Sequence, residues 1–244
     1  MKLLNLFMVG LAIVIITVLA VTPIGNSNRK SSVTSGPDQS SEAVSTNEAA
    51  SNLDVSASAA ATQRYRLDDS QSKFIAHANA GGLLWFKGHD HLIAVRDFSG
   101  EAQLAPDSIT PASLEFTAKT ESMVETSSVF TEPQKQIINK ELREIVLEPA
   151  KYPDIVFRST SVTGKATSAN HYDLNITGNL TLHGVTRQIK IPTTVVLTGR
   201  ELRGTGEFSI DRSDFNVKAT SAFHGLVRVR EKVKFTFDIV GHQI

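Results

Sequence analysis

Tyr172-Asp173-Leu174-Asn175-Ile176-Thr177-Gly178-Asn179-Leu180-Thr181-Leu182 alternates apolar and polar side chains without a break. Successive side chains of a strand point to opposite faces, so Tyr172, Leu174, Ile176, Leu180 and Leu182 share a dry side. Asp173, Asn175, Thr177, Asn179 and Thr181 share the wet one. The same period of two returns along most of the chain after residue 64, which predicts an all-β barrel or sandwich.

Outward from that stretch, strands are expected near 73–78, 92–104, 112–120, 154–163, 186–198, 201–210 and 227–240, besides 171–182 itself. Phe98, Gly100, Ala102 and Leu104 alternate with polar neighbours, as do Leu114, Phe116 and Ala118. Leu202, Gly204, Gly206, Phe208 and Ile210 repeat the pattern, and so do Val233, Phe235, Phe237 and Ile239. Eight strands suit a barrel wide enough to hold one small ligand. One segment departs from the period. Thr131-Glu132-Pro133-Gln134 reads as a capping box with an early proline, and Ile138, Leu142 and Ile145 follow at helical spacing up to about Leu147. This predicts one short amphipathic helix between strands, either plugging the barrel end or covering a sheet edge, or acting as a movable lid over a cavity mouth.

The chain has 244 residues, 41% of them hydrophobic, enough for one large β-domain. Its 25 basic and 25 acidic residues cancel without long runs of one sign, so no footprint of a nucleic-acid partner is present. The absence of cysteine excludes disulfides, thiolate metal sites, a cysteine nucleophile and a lipid-modified N-terminal cysteine. Leu3–Ile24 is uncharged and rich in Leu, Ile and Val. As a helix it would span roughly 33 Å, so residues 1–24 read as an uncleaved membrane anchor or, with Val18 and Ala20 resembling a processing site, as a signal peptide. Residues 25–63 are dominated by Ser, Ala and Thr and lack aromatic residues, which predicts a disordered tether. The folded domain is expected over 64–244, in an extracytoplasmic or periplasmic setting, secreted or anchored to the cytoplasmic membrane through residues 3–24.

Several stretches together resemble the YceI-like family of polyisoprenoid-binding proteins. They are Tyr65-Arg66-Leu67-Asp68, Asp97-Phe98-Ser99-Gly100, Lys151–Ser159 (KYPDIVFRS), Gly178–Arg187 (GNLTLHGVTR) and Ile210–Phe215 (IDRSDF), in that order. The resemblance implies a lipocalin-like antiparallel barrel in an exported protein, sequestering a long isoprenoid or similar lipid. The Gly81–His91 run (GGLLWFKGHDH) departs from the family's common form and marks a sub-branch with its own entrance loop.

Trp85, Phe98, Phe116, Phe157, Leu180, Leu182 and Phe208 are expected to line the ligand site, with Phe86, His89 and His91 at the entrance. Trp85 and Phe86 belong to an apolar run that is either a pocket mouth or a buried strand after a glycine turn. His89 and His91, one residue apart, would share a face of a strand and could ligate a metal if His77, His183, His224, His242 or a carboxylate completed the set. The other reading makes them a polar rim hydrogen-bonded to backbone or head group. His183-Gly184 reads as a hairpin turn, Arg187 as a solvated or head-group-pairing cation, and Asp211, Arg212 and Asp214 as a local ion-pair cluster. Asn175 and Asn179 match glycosylation sequons but fall inside a strand. No nucleophile elbow, phosphate loop or zinc-protease helix occurs. The expected function is a non-enzymatic lipid carrier with no cofactor beyond a bound isoprenoid, quinone or long-chain amphiphile. The alternatives are a histidine-dependent metal-binding protein and an interaction barrel with a filled core. The oligomeric state is open, a homodimer being one expectation.

Overall fold

The computed structural model describes residues 62–106, 109–222, 224 and 226–244. The expected leader or anchor over 1–24, and all of the expected tether except its last two residues, lie outside the described residues.

In chain order the strands are β1 (Gln63–Ala78), β2 (Ala80–Gly81), β3 (His91–Ala94), β4 (Phe98–Leu104), β5 (Ala112–Lys119) and β6 (Val124–Glu125). After the helix α1 (Glu132–Glu141) come β7 (Asp154–Ser168), β8 (His171–Leu182), β9 (Val185–Thr198) and β10 (Glu201–Asp211). The last three are β11 (Ser221–Ala222), β12 (Val227–Val229) and β13 (Lys232–Gln243). The order β13-β10-β9-β8-β7-β5-β4-β1, closed by β13 on β1, is an eight-stranded antiparallel barrel. β3 and β6 extend it beside β1, while β11, β12 and β2 form a separate three-stranded sheet. Because the last strand pairs with the first, the core is completed within residues 63–243, and this segment is a self-contained folding unit.

The deciding stretch behaves as its alternation dictates. In β8 Tyr172, Leu174, Ile176, Leu180 and Leu182 are all buried, and their polar neighbours are not. Each such side chain stabilises the fold by about 2 kcal/mol on leaving water. The β8–β9 turn is the His183-Gly184 pair with φ of 51° and 75°, the left-handed pair that a tight two-residue hairpin requires.

Three expectations are corrected, the expected strand 227–240 being divided into β12 of the small sheet and β13 of the barrel. The expected strand 92–104 is two strands interrupted at Val95–Asp97. β1 carries a bulge between Asp68 and Lys73, so its two halves pair separately, Ile75–Ala78 with β3 and Gln63–Arg66 with β4. The facing chain breaks where β1 has surplus residues, and the Ser122 hydroxyl accepts from the freed Asp97 N–H at 3.0 Å. The helix follows its capping box, the Gln134 side-chain oxygen accepting from Thr131 N–H at 2.8 Å. After Glu141, however, it widens into a π-helical turn, Leu142–Leu147. The wider turn shifts the phase of the apolar face, so Ile145 points to solvent while Leu142 and Leu147 are buried.

Candidate functional site

The apolar strand faces enclose more space than they fill. A cavity of about 280 Å³ lies inside the barrel, just under the roughly 300–1,000 Å³ common for small-molecule sites. β8 contributes Leu174, Ile176, Leu180 and Leu182 to its wall, and β10 contributes Leu202, Gly204, Phe208 and Ile210. Across its middle runs a set of phenylalanines. Phe74 lies 5.5 Å from Phe116 edge to face and 5.9 Å from Phe235, and Phe208 stacks on Phe235 at 5.0 Å. Such offset and edge contacts fix the rings and leave a smooth apolar wall.

The charged lining groups gather at one end. β1, β5, β8 and β10 all finish there, and the barrel continues into α1, the 212–220 segment and the small sheet. His91, Glu141, Arg212 and Lys218 line the cavity at this end, and Lys218 is exposed, so this is where the cavity meets solvent. The Arg212 guanidinium donates to Val217 C=O at 2.9 Å and to Glu231 at 2.6 Å. Glu148, which follows the π turn, accepts from Lys151 and from His183 Nε2. The Lys151 hydrogen bond is the main reason its carboxyl is held below the usual range, against a smaller opposing effect of burial.

α1 and the π turn that follows it close over the cavity through Ile138, Glu141 and Leu142. Its attachment is polar and buried. Glu125, whose side chain is wholly shielded from solvent, accepts from His91 Nδ1 at 2.7 Å, Leu92 N–H at 3.1 Å and Ser127 N–H at 2.7 Å. Burial opposes its ionisation most strongly, but these hydrogen bonds together outweigh it and hold the carboxyl below its ordinary value. The Glu125 N–H donates in turn to Asn139 Oδ1 of α1 at 2.7 Å, and Phe130 stacks on His91 at 5.1 Å.

Of the residues nominated from sequence, the structure brings Phe116, Phe157, Leu180, Leu182, Phe208 and His91 to the cavity wall. Phe98 is on the inward side but lies behind Phe116, ring centroids 5.2 Å apart, so it supports the wall without forming it. Trp85 and Phe86 are neither pocket mouth nor buried strand. They stand on a short 3₁₀ turn, Trp85–Lys87, where a tight loop between β2 and β3 leaves them 56% and 63% exposed. His89 precedes β3 and packs against Phe130, so it shares no strand face with His91. The carboxylate between them, Asp90, accepts from Ala80 N–H and Asn79 instead. Among the described residues no three His, Asp or Glu side chains gather as a metal site. Arg212 is paired with Glu231, not with Asp211 or Asp214, because β10 and β13 place residues 211 and 232 side by side. Phe74, Phe235 and Phe237 belong to the wall without having been nominated, although the latter two sit on an alternating face already evident in the sequence.

Comparison with known proteins agrees with this geometry. The YceI-like domain family matches residues 65–241. Protein YceI of Escherichia coli O17:K52:H18 is 31% identical over 175 residues, 68% of this chain and 82% of its own length. A UPF0312 protein of Pseudomonas fluorescens is 38% identical over 109 residues, 40% of this chain and 52% of its own length, so the match spans about half of that relative. Among solved structures, Burkholderia cenocepacia BcnA superposes with a TM-score of 0.56 at 22% identity, covering 71% of this chain and 98% of its own. A polyisoprenoid binding domain from Saccharophagus degradans, implicated in plant cell wall breakdown, gives 0.52 at 13% identity, with 74% and 98% covered. At these identities the structural likeness is one of fold.

Proposed function

The chain belongs to the YceI-like domain family, and on that premise we propose that its barrel is a non-enzymatic container for one long-chain amphiphile, an isoprenoid, a quinone or another apolar tail. The observation that carries this reading is the cavity of about 280 Å³ inside the barrel, whose lining is predominantly apolar and whose charged groups gather at one end. The tail lies against Phe116, Phe157, Leu180, Leu182 and Phe208, and the head group meets His91, Arg212 and Lys218 where the cavity reaches solvent. Burying ten methylenes would contribute about 8 kcal/mol before the costs of ordering, so the tail supplies affinity and the polar end supplies selection. That the Saccharophagus domain of like fold is a polyisoprenoid binding one supports the ligand class. The apolar segment 3–24 supports an extracytoplasmic setting, secreted or anchored to the cytoplasmic membrane.

Native mass spectrometry of residues 62–244 purified from a bacterial host, with organic extraction, tests the reading. A stoichiometric long-chain species carries it. An empty protein that takes up no isoprenoid, quinone or fatty acid on incubation removes it.

A further inference from the structure

The loop 82–88 and the facing segment 226–230 do not belong to the cavity wall except through Val229, yet they hold four exposed large apolar side chains, including the two most exposed among the described residues. Leu83 is 76% exposed, Phe86 63%, Trp85 56% and Leu226 42%. An apolar surface of this kind in water marks a contact site more often than an accident of folding. The loop is not slack. Leu84 N–H donates to Leu226 C=O at 2.9 Å. Gly82 has φ +89°, and a Cβ there would lie 2.5 Å from the Leu226 oxygen. A Cβ on Gly88 would lie 2.8 Å from that of Ala80. Close backbone approach therefore holds two aromatic rings, edge to face at 6.4 Å, out in solvent.

Basic side chains predominate around this ridge, the nearby Asp90 being engaged by Ala80 N–H and Asn79. Residues 215–230 contain Lys218, Arg228 and Arg230 and no acid, and Lys87 ends the aromatic turn. Arg230 Nε is fixed on Ala80 C=O at 2.8 Å, and among the described residues Arg228 pairs with no carboxylate. Both arginines line a groove with Gly81, Gly82 and Trp85, whose one acid, Glu231, is already engaged by Arg212 at 2.6 Å. β12 alternates across the sheet, so Val229 faces the cavity while Arg228 faces this groove.

We propose that the ridge docks the domain on an anionic lipid bilayer. Trp85 and Phe86 occupy the boundary between head groups and acyl chains, where amphipathic aromatic rings are most stable, and Leu83 enters with them. Lys87, Arg228 and Arg230 lie over lipid phosphates, each strengthening adsorption about fivefold. The inference extends the lipid-container reading, but its test does not require an occupied cavity.

Trp85 is the only tryptophan of the chain and reports on its own surroundings. Residues 62–244, which close on themselves as a barrel, are mixed with vesicles of phosphatidylcholine and phosphatidylglycerol at about 3:1, and with phosphatidylcholine alone. The expected result is a blue-shifted Trp85 emission, quenched by brominated acyl chains, with the anionic vesicles. Leu83→Ser/Phe86→Ser lowers vesicle partition tenfold or more. Arg228→Gln/Arg230→Gln abolishes the preference for anionic lipid, and circular dichroism confirms that both variants are folded. Unchanged emission without co-sedimentation overturns the proposal, as does undiminished binding by the Leu83/Phe86 variant. So does a concentration-dependent emission shift without vesicles, which would show a second copy covering the ridge. Lipid extraction from the same preparation separates the two readings. A filled cavity without docking removes the docking surface alone, and docking by a protein that is empty and takes up no long-chain lipid on incubation removes the container alone.

Discussion

The imidazole of His91 and the buried carboxylate of Glu125 meet at 2.7 Å, and through this contact β3 holds the segment that leads into α1. Both residues sit on short strands flanking the barrel proper, and His91 also lines the cavity.

Glu125→Ala removes the acceptor of two backbone N–H groups, Leu92 and Ser127, as well as of His91. Leaving buried donors unpaired costs about 3 kcal/mol, so the melting temperature is expected to fall by roughly 6–12 °C. Hydrogen exchange should rise in 124–139 before it rises in β8. Differential scanning calorimetry and exchange mass spectrometry check both. A uniform rise across the barrel would count against a local tie.

Gly204 and Gly206 sit on the same face of β10 with different room. A Cβ on Gly204 meets only Thr193 Cγ2 at 3.6 Å, whereas one on Gly206 would lie 2.4 Å from Pro192 C=O and 2.7 Å from the Phe237 ring. Gly204→Ala is therefore expected to stabilise by about 0.5 kcal/mol, and Gly206→Ala to destabilise by about 1–3 kcal/mol. Gly204→Leu projects into the cavity and should abolish uptake of a long-chain ligand while the barrel stays folded. Urea titration and lipid-binding assays read the three outcomes.

Asp68 organises the β1 bulge by accepting from Ser70 and Gln71, whose side chains hold its carboxyl down to about 2. A folded-state value below the unfolded one contributes stability that is present above the ordinary value of 3.8 and is lost as pH falls towards 2. Urea midpoints of the wild type should thus drop between about pH 4 and pH 2. Asp68→Asn should be less stable at neutral pH and show a shallower acid limb over that window.

Thr131 starts α1, and replacing a threonine N-cap by alanine costs about 1 kcal/mol. Since Ile138 and Leu142 cover the cavity from this helix, Thr131→Ala is expected to speed release of a fluorescent long-chain probe several-fold with little change in barrel stability. Stopped-flow displacement measures it, and an unchanged release rate would show that the ligand leaves by another route.

The barrel was legible because its information is local. Alternation along 171–182, 201–210 and 233–239 assigns each side chain a face with no knowledge of partners, and a capping box announces α1 within four residues. What stayed hidden depends on distant pairing. The break at Val95–Asp97 follows from the bulge in β1, more than twenty residues earlier in the chain. The exposure of Ile145 follows from a π turn that no period of 3.6 foretells. Phe74 carried the same signal as Phe116 but lay in a strand whose face needs the β13 register to decide. Trp85 and Phe86 read as cavity residues because an apolar run looks alike whether it is buried or displayed.

β13 returns to β1 so closely that Gln243 stands opposite Tyr65 and Ile244 N–H donates to Arg64 C=O at 3.0 Å. In topological terms the domain is a ring that happens to be cut between residues 63 and 244. Nothing in its wall privileges that cut over the open turn at Gly199, where no neighbouring atom comes within 4 Å of a would-be side chain. Joining Ile244 to Gln63 through a short linker and starting a permuted domain at Arg200 should yield the same vessel read from a different first strand.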